Sequence, residues 1–172
     1  MKRVILDTNI CGFILKEIDK EVLNNLSEKK QIVIYGNDVI RRELRDLPRK
    51  EVTRVADKIK NLRITLLSLY DFLVKETYSV NDAARNLADK YFVSYVSLGG
   101  KVGREKIMDE FLIVACATIK SLDIVVSGDN KTMLSGASLK SYSIVNGLAK
   151  KRTPQFIGFD EFKKEIKRCA SL

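Results

Sequence analysis

Four carboxylates are spaced along this chain so that they could act together. Asp7 ends the apolar run Val4-Ile5-Leu6 and is followed by Thr8 and Asn9. Asp129 stands just past a second such run, Ile124-Val125-Val126, in the stretch DIVVSGDN, with Ser127, Gly128 and Asn130 beside it. Glu43 lies in VIRREL, within the helical period of Ile40, Leu44 and Leu47. Asp109, with Glu110 as its neighbour, opens the apolar stretch IMDEFLIVACATIKSL. If the two apolar runs are parallel strands, Asp7 and Asp129 project at one carboxyl edge, where open α/β sheets bind ligands. Acids placed together repel unless a cation or a proton lies between them. Four of them make an all-oxygen site suited to a hard divalent cation such as magnesium or manganese. Such an ion orients and acidifies a water and offsets charge developing on a phosphate. Each acid also has an ordinary explanation. Asp7 or Asp129 can cap a helix, a first-turn Asp109 suits the helix dipole, and Glu43 can be a surface carboxylate among Arg41, Arg42 and Arg45.

The elements that would position these acids can be read from periodicity. Short β-branched runs ending in polar residues predict buried parallel strands at 2–7, 31–37 and 123–130. A third strand is expected at 62–68 and a last one at 154–159. Helices are expected from Ile10 to Leu15, after Asp19 to about Glu28, over 38–47, and from Pro48 to about Lys60. Residues 70–98 read as almost wholly helical, broken near Ser79-Val80-Asn81-Asp82. The segment 107–122 is apolar nearly all round and should be central. Further helices are expected at 135–150 and 159–170. Strands alternating with helices argue for an α/β domain with a parallel sheet of four to five strands, flanked by helices on both faces. No repeat or linker divides residues 1–172, so one domain is expected.

Composition narrows the chemistry. The sequence has no histidine, which excludes Ser-His-Asp and Cys-His systems and histidine-bound zinc. Lys and Arg outnumber Asp and Glu by 31 to 22, a net charge of +9 that favours a polyanion such as nucleic acid as partner. Cys11, Cys116 and Cys169 are an odd, widely spaced set without C-x-x-C. With a strand at the very start and no export signal, they are expected to be reduced, mostly buried thiols of a cytoplasmic protein. No apolar run approaches membrane length, so no membrane association is expected. With these acids, a basic chain points to a phosphodiester substrate.

The motifs VILDTN, VIRREL, MDEFLIVACA, DIVVSGDNKTM and TPQFIGFDEF, in that order over nearly the whole chain, resemble the PIN-domain family. That family comprises nucleases that include the VapC-type toxin halves of many prokaryotic toxin–antitoxin pairs. The resemblance implies metal-dependent hydrolysis of RNA. It places Asp7, Glu43, Asp109 and Asp129 on the family's acidic quartet, which holds one or two magnesium or manganese ions. Ser127 falls on a hydroxyl position beside the acids and Asn9 on a small polar position near the first. Asp109 is slightly farther from Asp129 than in the commonest toxin pattern, so Glu110 is a candidate to replace or supplement it. The segment 70–106 is also longer than in compact toxins, which leaves a toxin and an RNA processing or decay nuclease both open. A homodimer is implied by the resemblance and by the many aromatic and aliphatic helix faces, and an inhibitory antitoxin partner by the resemblance alone.

Other signals are weighed beside these. GGKVGREK at 99–106 lacks the order of a P-loop and does not follow a strand. Its Lys101, Arg104 and Lys106, with Arg41 and Arg42, are candidate RNA contacts, against the plainer reading of solvated surface. Tyr91, Phe92 and Tyr95 follow a helical period and suit a core or a dimer contact better than base stacking. One alternative is a phosphatase of the haloacid-dehalogenase type, which needs a second acid where this chain has Asn9. The other is a PIN-like module that binds RNA or protein without catalysis, although crowded carboxylates serve no scaffold.

Overall fold

The first strand, β1 (Lys2–Leu6), is fully buried at its centre, and Asp7 turns the chain directly into α1 (Thr8–Glu17). After α2 (Lys20–Lys29) come β2 (Ile32–Asn37) and α3 (Asp38–Asp46). A hairpin of β3 (Val52–Val55) and β4 (Lys58–Asn61) leads into α4 (Leu62–Leu73), β5 (Val74–Tyr78) and α5 (Asp82–Ser97). The chain ends with α6 (Arg104–Ile119), β6 (Ile124–Val126), α7 (Gly136–Leu148), β7 (Gln155–Ile157) and α8 (Phe159–Ser171). The structure is a computed structural model that describes residues 1–29, 31–55 and 58–171.

The strands form a five-stranded sheet in the order β5-β2-β1-β6-β7, each neighbouring pair parallel. Alternation along the strands divides the core in two. Ile5, Val33, Tyr35 and Val125 face α3, α5, α6 and α7, whereas Val4, Leu6, Ile32, Ile34, Ile124 and Val126 face α1, α2 and α8. This is the α/β architecture expected from the alternating pattern, with both faces of the sheet covered. Helix α6 is buried over most of its length, and Tyr91 and Tyr95 of α5 meet its Phe111 edge-on, so that pair belongs to the core. The three cysteines are buried and unpaired. No helix among the described residues is long and apolar enough to cross a membrane.

Three expectations fail between residues 48 and 78. The expected third strand at 62–68 is the start of α4: Asn61 caps it by accepting the Ile64 amide at 3.1 Å, and Leu66 and Tyr70, four apart, are its buried residues. The expected helix from Pro48 to Lys60 is instead the β3–β4 hairpin, pairing Val52 with Asn61 and Thr53 with Lys60. Part of that expected helix, residues 56 and 57, lies outside the described residues. Val52 and Ile59 stay largely exposed, so no core face existed to mark the period. The expected helix at 70–98 is interrupted by β5, an edge strand with Lys75, Glu76 and Thr77 exposed. An edge strand with so little buried surface has no alternation to read. It is anchored by Tyr78 stacked on Tyr35 at 5.4 Å, and by Tyr70, whose hydroxyl reaches Thr77 at 3.1 Å. Gly36 makes room for that ring: a Cβ there would lie 1.9 Å from the Tyr70 hydroxyl.

Candidate active site

The carboxyl ends of β1 and β6 are adjacent, since Leu6 pairs with Val126 and the Asp7 amide donates to the Val126 carbonyl at 2.8 Å. Asp7 and the residues after β6 therefore share one edge. Asp7 is 6% exposed and both of its oxygens accept hydrogen bonds. One accepts the Thr8 amide at 2.7 Å, and the other accepts the Ser127 hydroxyl at 2.7 Å and the Asn9 side-chain amide at 2.8 Å. Asp7 does cap α1, as its ordinary explanation requires. Yet a cap is normally solvated, and this one is buried beside other acids. Burial pushes its carboxyl above the ordinary value; the Ser127 and Thr8 bonds oppose this, and the charge of Asp129 adds to the rise.

Ser127 is the hinge of the arrangement. Wholly buried, it donates to Asp7 and accepts the Asp129 amide at 3.0 Å, so one hydroxyl sets both acids. Asn9 ties α1 to the same loop, its carbonyl accepting the Gly128 amide at 3.2 Å. A side chain at Gly128 would press on the Phe13 ring at 3.1 Å, so a small residue lets the loop close over α1.

Glu43 on α3 reaches the cleft and accepts the Thr8 hydroxyl. Burial raises its carboxyl too; the Thr8 bond opposes this, and Asp109 and Asp7 reinforce it. Asp129 behaves differently. Burial again opposes its charge, but the Thr132 hydroxyl and the amides of Thr132 and Lys131 outweigh it and hold the carboxyl below its ordinary value.

Helix α6 brings two acids, and the helix-start explanation fails for both. The helix begins at Arg104, so Asp109 and Glu110 sit beyond its first turn. Asp109 points to the rim and pairs with Arg42 at 2.7 Å, both side chains nearly half exposed. Glu110 turns inward. One oxygen accepts the Thr132 hydroxyl at 2.6 Å, and the other is buried with no hydrogen-bond partner among the described residues. Burial pushes Glu110 to about 7, against the Thr132 bond and with help from Asp129, Asp7 and Glu43. Of the two neighbours, Glu110 feels Asp129, Asp7 and Glu43, whereas Asp109 acts on Glu43 and is itself paired with an arginine.

Together these side chains line an open cleft of about 520 Å³ that holds Asp7, Asn9, Glu43, Asp109, Glu110 and Asp129, with Arg42 and Pro48 at its margin. Among the described residues, no three acids are arranged as they stand to hold an ion. Glu43, Glu110, Asp129 and Asp109 are turned instead onto Thr8, Thr132 and Arg42. The donor set itself fits a hard divalent cation: it is all oxygen, and the buried Glu110 oxygen lacks a partner. Thr8 and Thr132 were not singled out in the sequence. Thr132 could have been, because it stands three residues after Asp129, the spacing at which a side chain returns to a loop acid. Of the candidate RNA contacts, only Arg42 lines the cleft. Arg41 pairs with Asp71 at 3.0 Å, and Arg104 pairs with Asp89 and lies over the Phe92 ring. Lys101 and Lys106 are exposed away from the cleft, Lys106 and Arg104 already inside α6.

No family model matches the sequence and no curated protein does. Solved structures do match in fold. A chain of VapBC2 from Rickettsia felis, bound to a DNA fragment from their promoter, aligns with a TM-score of 0.57 at 13% identity, over 91% of this chain and 98% of that one. A chain of DNA-bound VapBC from Salmonella typhimurium gives 0.54 at 16% identity, over 92% and 99%. VapBC-1 from nontypeable Haemophilus influenzae gives 0.55 at 13% identity, over 92% and 98%. At such identities the likeness is one of fold, and the fold is the PIN-like one that the motifs implied.

Proposed function

We propose that this chain is a divalent-metal-dependent endoribonuclease of the PIN type, using magnesium or manganese. The observation that carries the reading is the gathering of Asp7, Glu43, Glu110 and Asp129 in one cleft where, among the described residues, an ion pair brings a cation only to Asp109. Buried, mutually repelling carboxylates destabilise a chain that has no use for them. Their elevated proton affinities at Asp7, Glu43 and Glu110 are the signature of a functional cluster.

Asp7, Glu43, Glu110 and Asp129 would hold the ion, with Asp109 at the margin. When bound, it would polarise a phosphodiester and supply a nucleophilic water at neutral pH. The protein's part is positional. Ser127 and Asn9 hold one oxygen of the Asp7 carboxylate and the Thr8 amide holds the other, which fixes its orientation. The Thr132 hydroxyl lies between Glu110 and Asp129 with its one proton shared between their oxygens, and Thr8 steadies Glu43. Releasing those hydroxyls frees carboxylate oxygens for the ion.

The structural neighbours are VapBC assemblies, which supports an inhibitory antitoxin as partner and a toxin as the role. A homodimer and a cytoplasmic setting are proposed with it. The phosphatase alternative meets a specific obstacle. Asn9 is not the second acid that chemistry needs, and its amide instead donates to an Asp7 oxygen. The test is cleavage of a mixed set of labelled RNAs by wild type and Asp7→Asn, with manganese, magnesium or chelator. Metal-dependent cutting that disappears in the variant is expected. Metal-independent cutting, or equal cutting by both proteins, would overturn the reading.

A further inference from the structure

Beside the acidic cleft lies a second, smaller groove of about 240 Å³, and Arg42 lines both. Its other cationic walls are Arg45, one turn further along α3, and Arg85 on α5. Asp38 is its one acid, and one of its oxygens accepts the Val80 amide at 3.1 Å. The bond has a structural consequence: it pins the chain before α5 to the start of α3, which holds Arg85 opposite Arg42 and Arg45. Val80 and the buried Leu112 give the groove an apolar floor.

The charges are spare. Arg45 and Arg85 are exposed, and neither makes an ion pair among the described residues. Arg42, by contrast, is held at 2.7 Å from Asp109 on the ridge between groove and cleft. Unpaired guanidinium groups set side by side repel, and the ligand that satisfies them is a chain of anions. On a helix, Cβ atoms three residues apart lie roughly 5–6 Å from one another, comparable to the spacing of successive phosphates in an extended strand.

We propose that this groove is the path of the RNA strand next to the scissile phosphate. Arg42 hands the backbone from the acidic cleft to Arg45 and Arg85, which contact the neighbouring phosphates, while the Val80–Leu112 floor takes the face of a sugar or base. The proposal rests on the ribonuclease reading and adds to it a direction: the substrate leaves the cleft between α3 and α5, not over the 99–106 loop. Single-stranded nucleic acid is the class that fits, because a basic groove with an apolar floor follows a backbone without requiring a duplex.

The test is binding of a fluorescein-labelled single-stranded RNA in chelator, so that nothing is cut. It is read for wild type, for Arg45→Ala/Arg85→Ala, and for a charge-matched control, Lys140→Ala/Lys164→Ala, whose residues line neither cavity. The groove variant should lose about tenfold or more in affinity at low salt relative to the control. Its slope of log affinity against log salt should shrink by about 1.4, the value for two phosphate contacts on a single strand. Arg45→Lys/Arg85→Lys should recover most of the slope, which a misfolded groove would not allow. Equal affinity and slope in the groove variant and the control overturn the path, even if the groove variant loses an acidic peptide instead. Metal-dependent RNA cleavage by wild type, measured alongside, tells the two failures apart. Cutting with no groove effect removes the path alone, whereas no cutting and no binding remove the nuclease reading with it.

Discussion

The adjacent strands β1 and β6 meet an aspartate at each end of the pair, Asp123 before β6 and Asp7 after β1, and the two are treated in opposite ways. At the amino end Asp123 accepts the Arg3 amide at 2.7 Å and the Arg152 guanidinium at 2.7 Å. Burial works against its charge there as well, but those partners outweigh it and its carboxyl lies below the ordinary value. At the carboxyl end Asp7 is more deeply buried, faces Asp129, has no arginine, and its carboxyl lies above the ordinary value. The same residue type on the same two strands is a fastening at one end and an uncompensated charge at the other. Fastening takes a cation from the chain, as at Asp123; Asp7 has no such partner among the described residues.

That contrast can be broken by substitution. The largest effect expected is at Asp7. Asp7→Asn should lower RNA cleavage by more than about 100-fold, since even outer partners of metal ligands are worth 10–100-fold. In chelator its thermal midpoint should not fall, because a buried repulsion has been removed. An unfolded Asp7→Asn protein would mean that the acid is structural. Next come the neighbours on α6: Glu110→Gln should reduce cleavage about tenfold or more, and Asp109→Asn by a few-fold only. The reverse order would restore Asp109, the choice made on sequence, as the inner acid. Asp123→Ala should do the opposite of Asp7→Asn, leaving cleavage alone while costing about 1–2 kcal/mol in a urea melt through its lost hydrogen bonds. The smallest effect is a trend with pH. Glu110 lies near 7 in the fold against an ordinary 4.5, and Asp7 and Glu43 are raised with it. The folded chain therefore holds these protons more tightly than the unfolded one. The stability they lend is complete below the ordinary carboxyl values and is lost as pH rises toward about 7. In chelator the thermal midpoint should drift down between about pH 5 and 8, and Glu110→Gln should flatten that drift. The lowered acids, Asp123 and Asp129, act only on the acid side and should be silent across this range.

How legible all this was in the sequence follows burial. β1, β2 and β6 are wholly buried at their centres, and their β-branched runs marked them, so the parallel sheet and its carboxyl edge could be read directly. Where burial is thin the reading failed. The β3–β4 hairpin packs no core, β5 is an exposed edge, and the leucines of 62–68 alternate like a strand although Asn61 caps them into a helix. The site was legible as a set of acids, because strand ends fix Asp7 and Asp129. The choice between Asp109 and Glu110 was not, because neighbours on a helix differ by about 100° and α6 is apolar nearly all round, so no stripe marks its inward face. Thr8 was missed because a hydroxyl that positions an acid has no pattern of its own; for Thr132 the three-residue spacing from Asp129 was the one signal.

Manganese binding tests the carboxyl-edge site most directly, followed as depletion of the free-ion paramagnetic resonance signal during titration. Wild type and Asp123→Asn should deplete the ion alike, and Asp7→Asn should not. Equal depletion by Asp7→Asn, or none by wild type, would contradict a metal site at the carboxyl edge of the sheet.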